Sequence, residues 1–402
     1  MNIGMLLDNE FTGDLRVENE VVSLVNAGHS VYVLCFNHGD KKELEDYHGA
    51  TIVRLSISKF KKNKMKGFTN TIFDLYTPYW TRNAIKLVNK YQIDAIHVHD
   101  LYLLGAAFLM NKKLKMEIPV IGDLHENYPE ALKHYKFTQV FPGKYVISIP
   151  KWFETEKNWI EKADYIITVI EEATERYSKI GLDRNKITVV SNYVSSELFL
   201  KSYKQSSYVK KVNNFFSLLY VGGFDLHRGL ECSIKSIALL KNKIPNIRLV
   251  LVGSGSNLNE LKKLATDLEV MEHISFEGWQ KPETLPKYIE NSSICLIPHL
   301  KTEHTDNTIP HKLFQYMLLE KAVLSSNCKP IERILKDTAS GVVFNSNDEE
   351  SMAEQILFLH KNQEETSKMG LNGKKAVVKT YNWDSAANEL VALYKRIEGT
   401  LN

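Results

Sequence analysis

One rhythm limits this fold more than any other feature: apolar runs of strand length alternate with longer amphipathic stretches, and the alternation restarts midway. A strand covered by helices on both faces reads as a continuous apolar run, so the pattern predicts parallel sheets built from β-α units. The first set of runs lies at residues 2–7, 31–36, 51–55, 95–99, 119–122, 165–169 and 187–190. The second lies at 216–221, 248–252, 274–276, 293–298, 322–325 and 342–344. Between them run helical patterns such as 14–26, with Asp14 as N-cap and Gly28 as terminator. Residues 195–214 lose this periodicity and gain Ser, Lys and Asn, as a linker does. The expectation is an α/β chain of two doubly wound Rossmann-like domains, 1–200 and 215–382, facing a cleft. Helices fill most of 348–397. Loops at the carboxyl ends of such strands, with helix N-termini aimed at them, are where these sheets bind anions.

The 402 residues fit two sizeable domains at roughly 150 each, and a net charge of +3 leaves any basic function local. A lone lysine cluster is a poor footprint for nucleic acid, which is not expected as a partner. The longest apolar run, 101–110, is about half of a membrane span, and no basic-then-apolar leader opens the sequence. Cys35, Cys232, Cys295 and Cys328 are far apart, which suits buried reduced thiols and a cytoplasmic protein.

Four loops could carry chemistry. After the first strand, Gly13 permits close backbone approach and Arg16 starts the helix; a flexible connection with a solvated arginine reads equally well. The second, Gly122-Asp123-Leu124-His125-Glu126, crowds ionisable groups at a strand's carboxyl end, either for a ligand or to tie the loop down. The third runs from Gly222-Gly223 through Arg228 into a helix, a setting for a diphosphate. It lacks the Gly-Lys-Ser/Thr of a Walker loop, and neither it nor Gly253-Ser254-Gly255 completes a dinucleotide turn, so no nicotinamide or flavin is expected. The fourth, Asn307-Thr308-Ile309-Pro310-His311-Lys312 with Gln315 beyond, reads as a helix start whose amides at Thr308 and Ile309 meet an anion or hydroxyl. An ordinary helix start with a solvated lysine is the other reading.

Taken in order, these pieces with Leu-Val-Gly-Ser-Gly and Phe-Glu-Gly-Trp resemble the retaining GT-B glycosyltransferases of family GT4 over nearly the whole chain. The resemblance implies transfer of a hexosyl or N-acetylhexosaminyl group from a nucleotide diphosphate sugar, a UDP-sugar before a GDP-sugar, to an acceptor hydroxyl. Arg228 and Lys312 would hold the diphosphate, His125 would touch the transferred sugar, and Trp279 would lie near the base. Gly13, Arg16, Asp123, Glu126, Gly222, Gly223, Gly253, Asn307, Thr308, Ile309 and Gln315 would complete the substrate site. Gly223 stands where the family carries an arginine, and Asn307 and Gln315 stand where it carries two glutamates. The helix from 383 would return to the first domain. No cofactor or metal is implied: there is no Asp-x-Asp, and cations with helix ends take the metal's place.

Lys59 to Lys66 interleave with apolar residues, and 137–159 carries Tyr145, Trp152 and Trp159. They read as an anionic-membrane contact with a lipid-linked or growing glycan acceptor for lipopolysaccharide or capsule, or as a solvated loop and a buried amphipathic helix. A nucleotide-sugar epimerase or hydrolase, or a non-catalytic nucleotide-sugar binder, are the alternative functions.

Overall fold

The computed structural model describes residues 1–133, 135–196, 199 and 215–401. Two compact units emerge, one of Met1–Ser191 with Ala386–Asn402, the other of Asn192–Ser385. The division falls ahead of the expected linker, most of which lies outside the described residues. Residues 192–194 go with the second unit because Tyr193 packs edge-on against Phe314 and Tyr381, and Trp383 N–H donates to Val194 O at 3.1 Å.

The first unit holds β1 (Asn2–Leu6), β2 (Ser30–Asn37), β3 (Leu44–Tyr47), β4 (Ala50–Ser56), β5 (Ala95–His99), β6 (Val120–Leu124), β7 (Tyr165–Thr168) and β8 (Ile187–Val189). Their order is β3-β4-β2-β1-β5-β6-β7-β8, parallel throughout except for the β3–β4 pair. The second unit holds β9 (Phe216–Val221), β10 (Ile247–Val252), β11 (Ile274–Gly278), β12 (Ile294–Ile297), β13 (Val323–Ser326) and β14 (Gly341–Phe344). Their order is β11-β10-β9-β12-β13-β14, parallel throughout. β5, β6, β12 and β13 are buried at every position, as sheets covered on both faces require. β3 escapes sequence reading because Leu-Glu-Asp-Tyr lies at the exposed edge, held by backbone pairing to β4 rather than by an apolar run.

The helix Leu15–Asn26 begins where Asp14 accepts a hydrogen bond from Val17 N–H, and Gly28 follows its end at φ +91°. Its stripe of Val17, Val21 and Leu24 is buried, each worth about 1.5–3 kcal/mol. The helix Trp383–Leu401 runs four residues past the expected stretch, and its Tyr394 OH meets His97 Nδ1 at 2.9 Å. All four cysteines are buried and unbridged. Among the described residues, no helix is long and apolar enough to cross a membrane.

Each sheet reverses its winding at the strand it opens with. β1 lies between β2 and β5, and β9 lies between β10 and β12. The loops leaving β1 and β5 in one unit, and β9 and β12 in the other, therefore diverge from adjacent strand ends and leave a crevice in each unit.

Candidate functional site

In the first unit that crevice is filled by charge. Arg16 is only 3% exposed, neither solvated nor open to a ligand. Its guanidinium donates to Asp123 at 2.8 and 3.2 Å and to Val190 O at 2.7 Å, and lies 3.0 Å from Glu20. His99 Nδ1 and His125 Nε2 approach the same Asp123 oxygen at 3.2 and 2.7 Å. His97 Nε2 stands 3.6 Å from both Glu20 and Asp123.

The competition for charge has clear winners. Burial opposes ionisation of Asp123, but Arg16 and then His125 hold its carboxyl well below the usual range. Burial also opposes the His125 imidazolium, yet Asp123 and Asp100 more than offset it, raising it to about 9. His99, buried beside His97, is pushed down to about 3, and burial lowers His97 as well. Burial raises Glu20 to about 8 against the pull of Arg16. At neutral pH Arg16 and His125 are thus positive, Asp123 is negative and His97 and His99 are neutral, while burial biases Glu20 toward its protonated form.

His125 keeps its side chain 22% exposed, with Nδ1 3.7 Å from Asp100. Beside it, burial and then Asp100 push the Glu126 carboxyl up to about 7, with Tyr135 OH donating to both oxygens. Gly13, at φ +100° and exposed, gives its N–H to Glu18 at 2.7 Å. The lysine cluster is not uniformly outward: Lys62 and Lys66 reach Asp8 at 3.5 and 2.5 Å, and the Tyr76 hydroxyl donates to the same carboxylate. Lys59, Lys61 and Lys64 remain exposed. Of the three aromatic residues expected at a surface, Tyr145 is exposed, Trp159 is half-buried, and Trp152 is buried edge-on against Tyr128 and Trp159.

In the second unit glycines from three strand ends meet. Gly253 N–H donates to Gly278 O at 2.8 Å, Gly222 N–H donates to Val252 O at 2.9 Å, and Trp279 beyond Gly278 is 70% exposed. Gly222 sits at φ +145°, and a Cβ there would lie 2.5 Å from Lys312 Nζ. That Nζ also stands 4.0 Å from the Tyr220 ring centroid. Gly223 is half-buried, its carbonyl accepting from Tyr220 OH at 2.8 Å.

Arg228 ends the 3-10 turn Leu226–Arg228, and its Nη1 lies 3.2 Å from His299 Nε2, just past β12. Burial, then Arg228 and Lys312, hold His299 well below the ordinary histidine value, so its neutral ring accepts from the guanidinium. Burial and then Arg228 hold the Lys312 ammonium well below the ordinary lysine value. Among the described residues no carboxylate forms an ion pair with Lys312 or Arg228, and Arg228 Nε is buried without an acceptor. An arginine and a lysine brought together without a paired acid suit an anion, which would favour the charged form of both.

Gly229 fixes Arg228 against β12. It takes φ +65° between the 3-10 turn and the helix Leu230–Leu240, and a Cβ there would run into Pro298 O. Gly229→Ala is expected to lower the melting temperature by several degrees and to weaken anion binding, measured by thermal unfolding with and without a nucleoside diphosphate.

The fourth loop keeps the expected helix start, with Pro310 two residues ahead of it and Lys312 in its first turn. The amides of Thr308 and Ile309 lie ahead of the helix Lys312–Leu318. Lys312 lies beneath Gly222 instead of in solvent. Asn307 is 9% exposed with its amide nitrogen on Glu303 O at 2.7 Å, the Ile309 side chain is buried, and Thr308 and Gln315 are half-buried.

Sequence reading missed His97, His99, Glu20, Asp100 and His299. Their signal was present: Ile-His-Val-His-Asp puts two histidines on one face of a strand that is otherwise apolar. It also missed that Glu20, His97, His99 and Asp123, scattered in sequence, each place a metal-ligand type of atom within 4.8 Å of the others.

A family model described as "Glycosyl transferases group 1" matches residues 204–376, and one described as "Glycosyltransferase Family 4" matches 16–198. An uncharacterized glycosyltransferase of Methanocaldococcus jannaschii is 23% identical over 59% of this chain and 59% of its own length. The alpha-monoglucosyldiacylglycerol synthase of Streptococcus pneumoniae is 21% identical over 72% of this chain and 64% of its own. The chain thus spans about three fifths of these two relatives; a second M. jannaschii glycosyltransferase, 21% identical, matches over 92% of this chain and 91% of its own. The sucrose-phosphate synthase of Thermosynechococcus elongatus has a similar structure, at TM-score 0.78 with 16% identity and full coverage of both chains. HepE of Anabaena, solved with UDP-glucose, gives 0.73 with 14% identity over 98% of this chain and 100% of its own.

Proposed function

Because the chain belongs to the group 1, family 4 glycosyltransferases of GT-B fold, we propose that it moves a sugar from a nucleotide diphosphate sugar to an acceptor hydroxyl with retention at the anomeric carbon. The observation that carries the proposal is the acid-free pair Arg228 and Lys312 at the glycine-lined strand ends of the second unit. As the glycosidic bond to the leaving diphosphate breaks, negative charge grows on its oxygens. Fixed cations in a partly dehydrated site lower the energy of that state more than that of the bound donor. In this reading the chain's own cations do the work without a metal. The leaving phosphate oxygen takes the acceptor's proton, so no protein base is required.

His125, an imidazolium at neutral pH, donates a hydrogen bond to the transferred sugar, and Asp123 with Asp100 keeps it charged. Trp279 offers an exposed indole to the base, and UDP is the favoured nucleotide, in line with the UDP-glucose bound by HepE. The acceptor is a lipid-linked or growing glycan of cell-surface polysaccharide assembly, met at the inner membrane face. Asn307 and Gln315 hydrogen-bond as neutral amides where carboxylates are usual, which favours hydroxyls over any cationic group.

Lys312 supplies the test. A diphosphate beside it stabilises the ammonium, so its pKa rises on binding and the complex takes up protons. Affinity for UDP should therefore increase as pH falls, and calorimetric heats should depend on the buffer's ionisation enthalpy with the sign of uptake. The fully matched UDP-sugar should raise the melting temperature and UDP should do so with this proton signature. Failure of every nucleoside diphosphate to shift the melting curve would sink the reading. Conversion of the donor without an acceptor would instead favour an epimerase or hydrolase.

A further inference from the structure

The first unit has a second concavity that the donor reading does not use. A groove of about 810 Å³ opens beside the helix Lys59–Lys66, lined by Phe60, Phe68, Phe137, Val140, Phe141 and Val146. Phe60 is 78% and Phe141 82% exposed, so large apolar side chains face water around a cavity within the roughly 300–1,000 Å³ of ligand pockets. Exposure on that scale is unfavourable by about 25 cal/mol for each Å² left wet, and covering it is a driving force awaiting an occupant.

The charge around the groove says what the occupant carries. Residues 57–73 contain five lysines and 131–153 four, and neither stretch contains a carboxylate. Of the nine, Lys62 and Lys66 are taken by Asp8, Lys133 pairs with Glu130 and Lys151 donates to Asn70 O, whereas Lys59, Lys61, Lys64 and Lys144 are exposed and, of these four, Lys64 lines the groove. Among the described lining residues Glu126 is the one acid, its oxygens accepting from Tyr135 OH at 3.1 and 3.2 Å, and it adjoins His125. The wall is therefore mostly apolar, exposed lysines stand on the helix beside it, and the half-buried Glu126 carboxyl lies next to the candidate sugar contact.

We propose that this groove binds the apolar chain of an anionic single-chain amphiphile that is itself the acceptor, with its anionic group beside the helix Lys59–Lys66, where Lys64 lines the groove, and its hydroxyl on Glu126. The proposal rests on the transferase reading and narrows the acceptor to a lipid-type molecule held as an individual ligand, rather than a membrane surface on which the protein merely sits. Phe60 and Phe141 cover the chain, and the lysines neutralise the anion at the point where it leaves the groove.

The experiment titrates the protein with dodecyl phosphate below its micelle concentration, with dodecanol and inorganic phosphate as the partial probes. Saturable binding of dodecyl phosphate at one site is expected. It should be weakened at least tenfold by Phe60→Asp with Phe141→Asp and severalfold by Lys59→Glu with Lys64→Glu; dodecanol should bind more weakly, and inorganic phosphate should not saturate. Both phenylalanines are exposed, so the fold tolerates their change, and retention of the UDP-induced thermal shift, which belongs to the other unit, verifies it. Absence of saturable binding overturns the proposal, as does binding indifferent to the Phe60 and Phe141 changes. So does attachment to phosphatidylglycerol vesicles that the lysine changes abolish while dodecyl phosphate still fails to bind, which would leave the lysines a surface-adhesion role only. The UDP shift scores the transferase reading separately: a protein that UDP stabilises and dodecyl phosphate ignores keeps that reading and loses this one.

Discussion

Arg228→Ala is expected to lower kcat by about 10²–10³-fold, the loss seen when one fixed donor to a developing anion is removed, and to abolish stabilisation by UDP. The ligand-free protein should respond in the opposite sense. Among the described residues no carboxylate pairs with Arg228 or Lys312, so removing Arg228 relieves repulsion on Lys312 and His299 and lets the Lys312 pKa climb. The melting temperature without ligand should stay level or rise, while the shift with UDP disappears. A structural role for Arg228 demands the reverse, a fall in the unliganded melting temperature. Arg228→Lys should recover part of the binding, since it returns the charge but not the planar donors. Lys312→Ala should behave like Arg228→Ala and also remove proton uptake on UDP binding.

Asp123→Asn should produce the largest loss of stability in the first unit. One buried carboxylate neutralises buried Arg16 and half-buried His125 and accepts from buried His99. Leaving buried cations unpaired costs about 3–5 kcal/mol, or roughly 10 °C in the melting temperature of a domain this size. The pH profile identifies the cause. Asp123 has a depressed carboxyl, so its contribution is present above pH 3.8 and is lost as pH falls below that value. His125 has a raised imidazolium, so its contribution is complete below pH 6.5 and fades as pH rises through about 9. The native protein should therefore lose first-unit stability on the alkaline side between about 6.5 and 9, and in Asp123→Asn that limb should flatten. Melting curves recorded from pH 6 to 10 would show it; an unchanged alkaline limb would place the His125 charge elsewhere.

These two sites were not equally legible in the sequence. Strand-length apolar runs located the buried strands, because burial on both faces leaves no polar position to obscure them, whereas β3 pairs through backbone alone. The loop of Gly222, Gly223 and Arg228 was visible since glycines and an arginine adjoin in sequence. Lys312 was read from its own helix, and only the fold brings it under Gly222, ninety residues away in the chain. Arg16 misled for a related reason. A lone arginine on a first helical turn is solvated or ligand-bound by default, and its real partners, Asp123 and Val190 O, come from strands and loops much later in the sequence. The lysine-rich helix was legible as a basic cluster, but which lysines turn inward was settled by Asp8, a residue that carries no signal by itself.

The helix Trp383–Leu401 has a bearing on how the protein is made. Tyr394 hydrogen-bonds to His97 and Arg396 to Thr188, so the first unit needs residues that leave the ribosome only after the whole second unit has been translated. Domains commonly fold in the order of synthesis. Here that order is inverted at the finish: the second unit has all its residues first, while the buried cluster around Asp123 waits with one wall absent. Until Tyr394 arrives, His97 and its neighbours lack that wall, and the unit whose strands are translated ahead of the other's is the last to close.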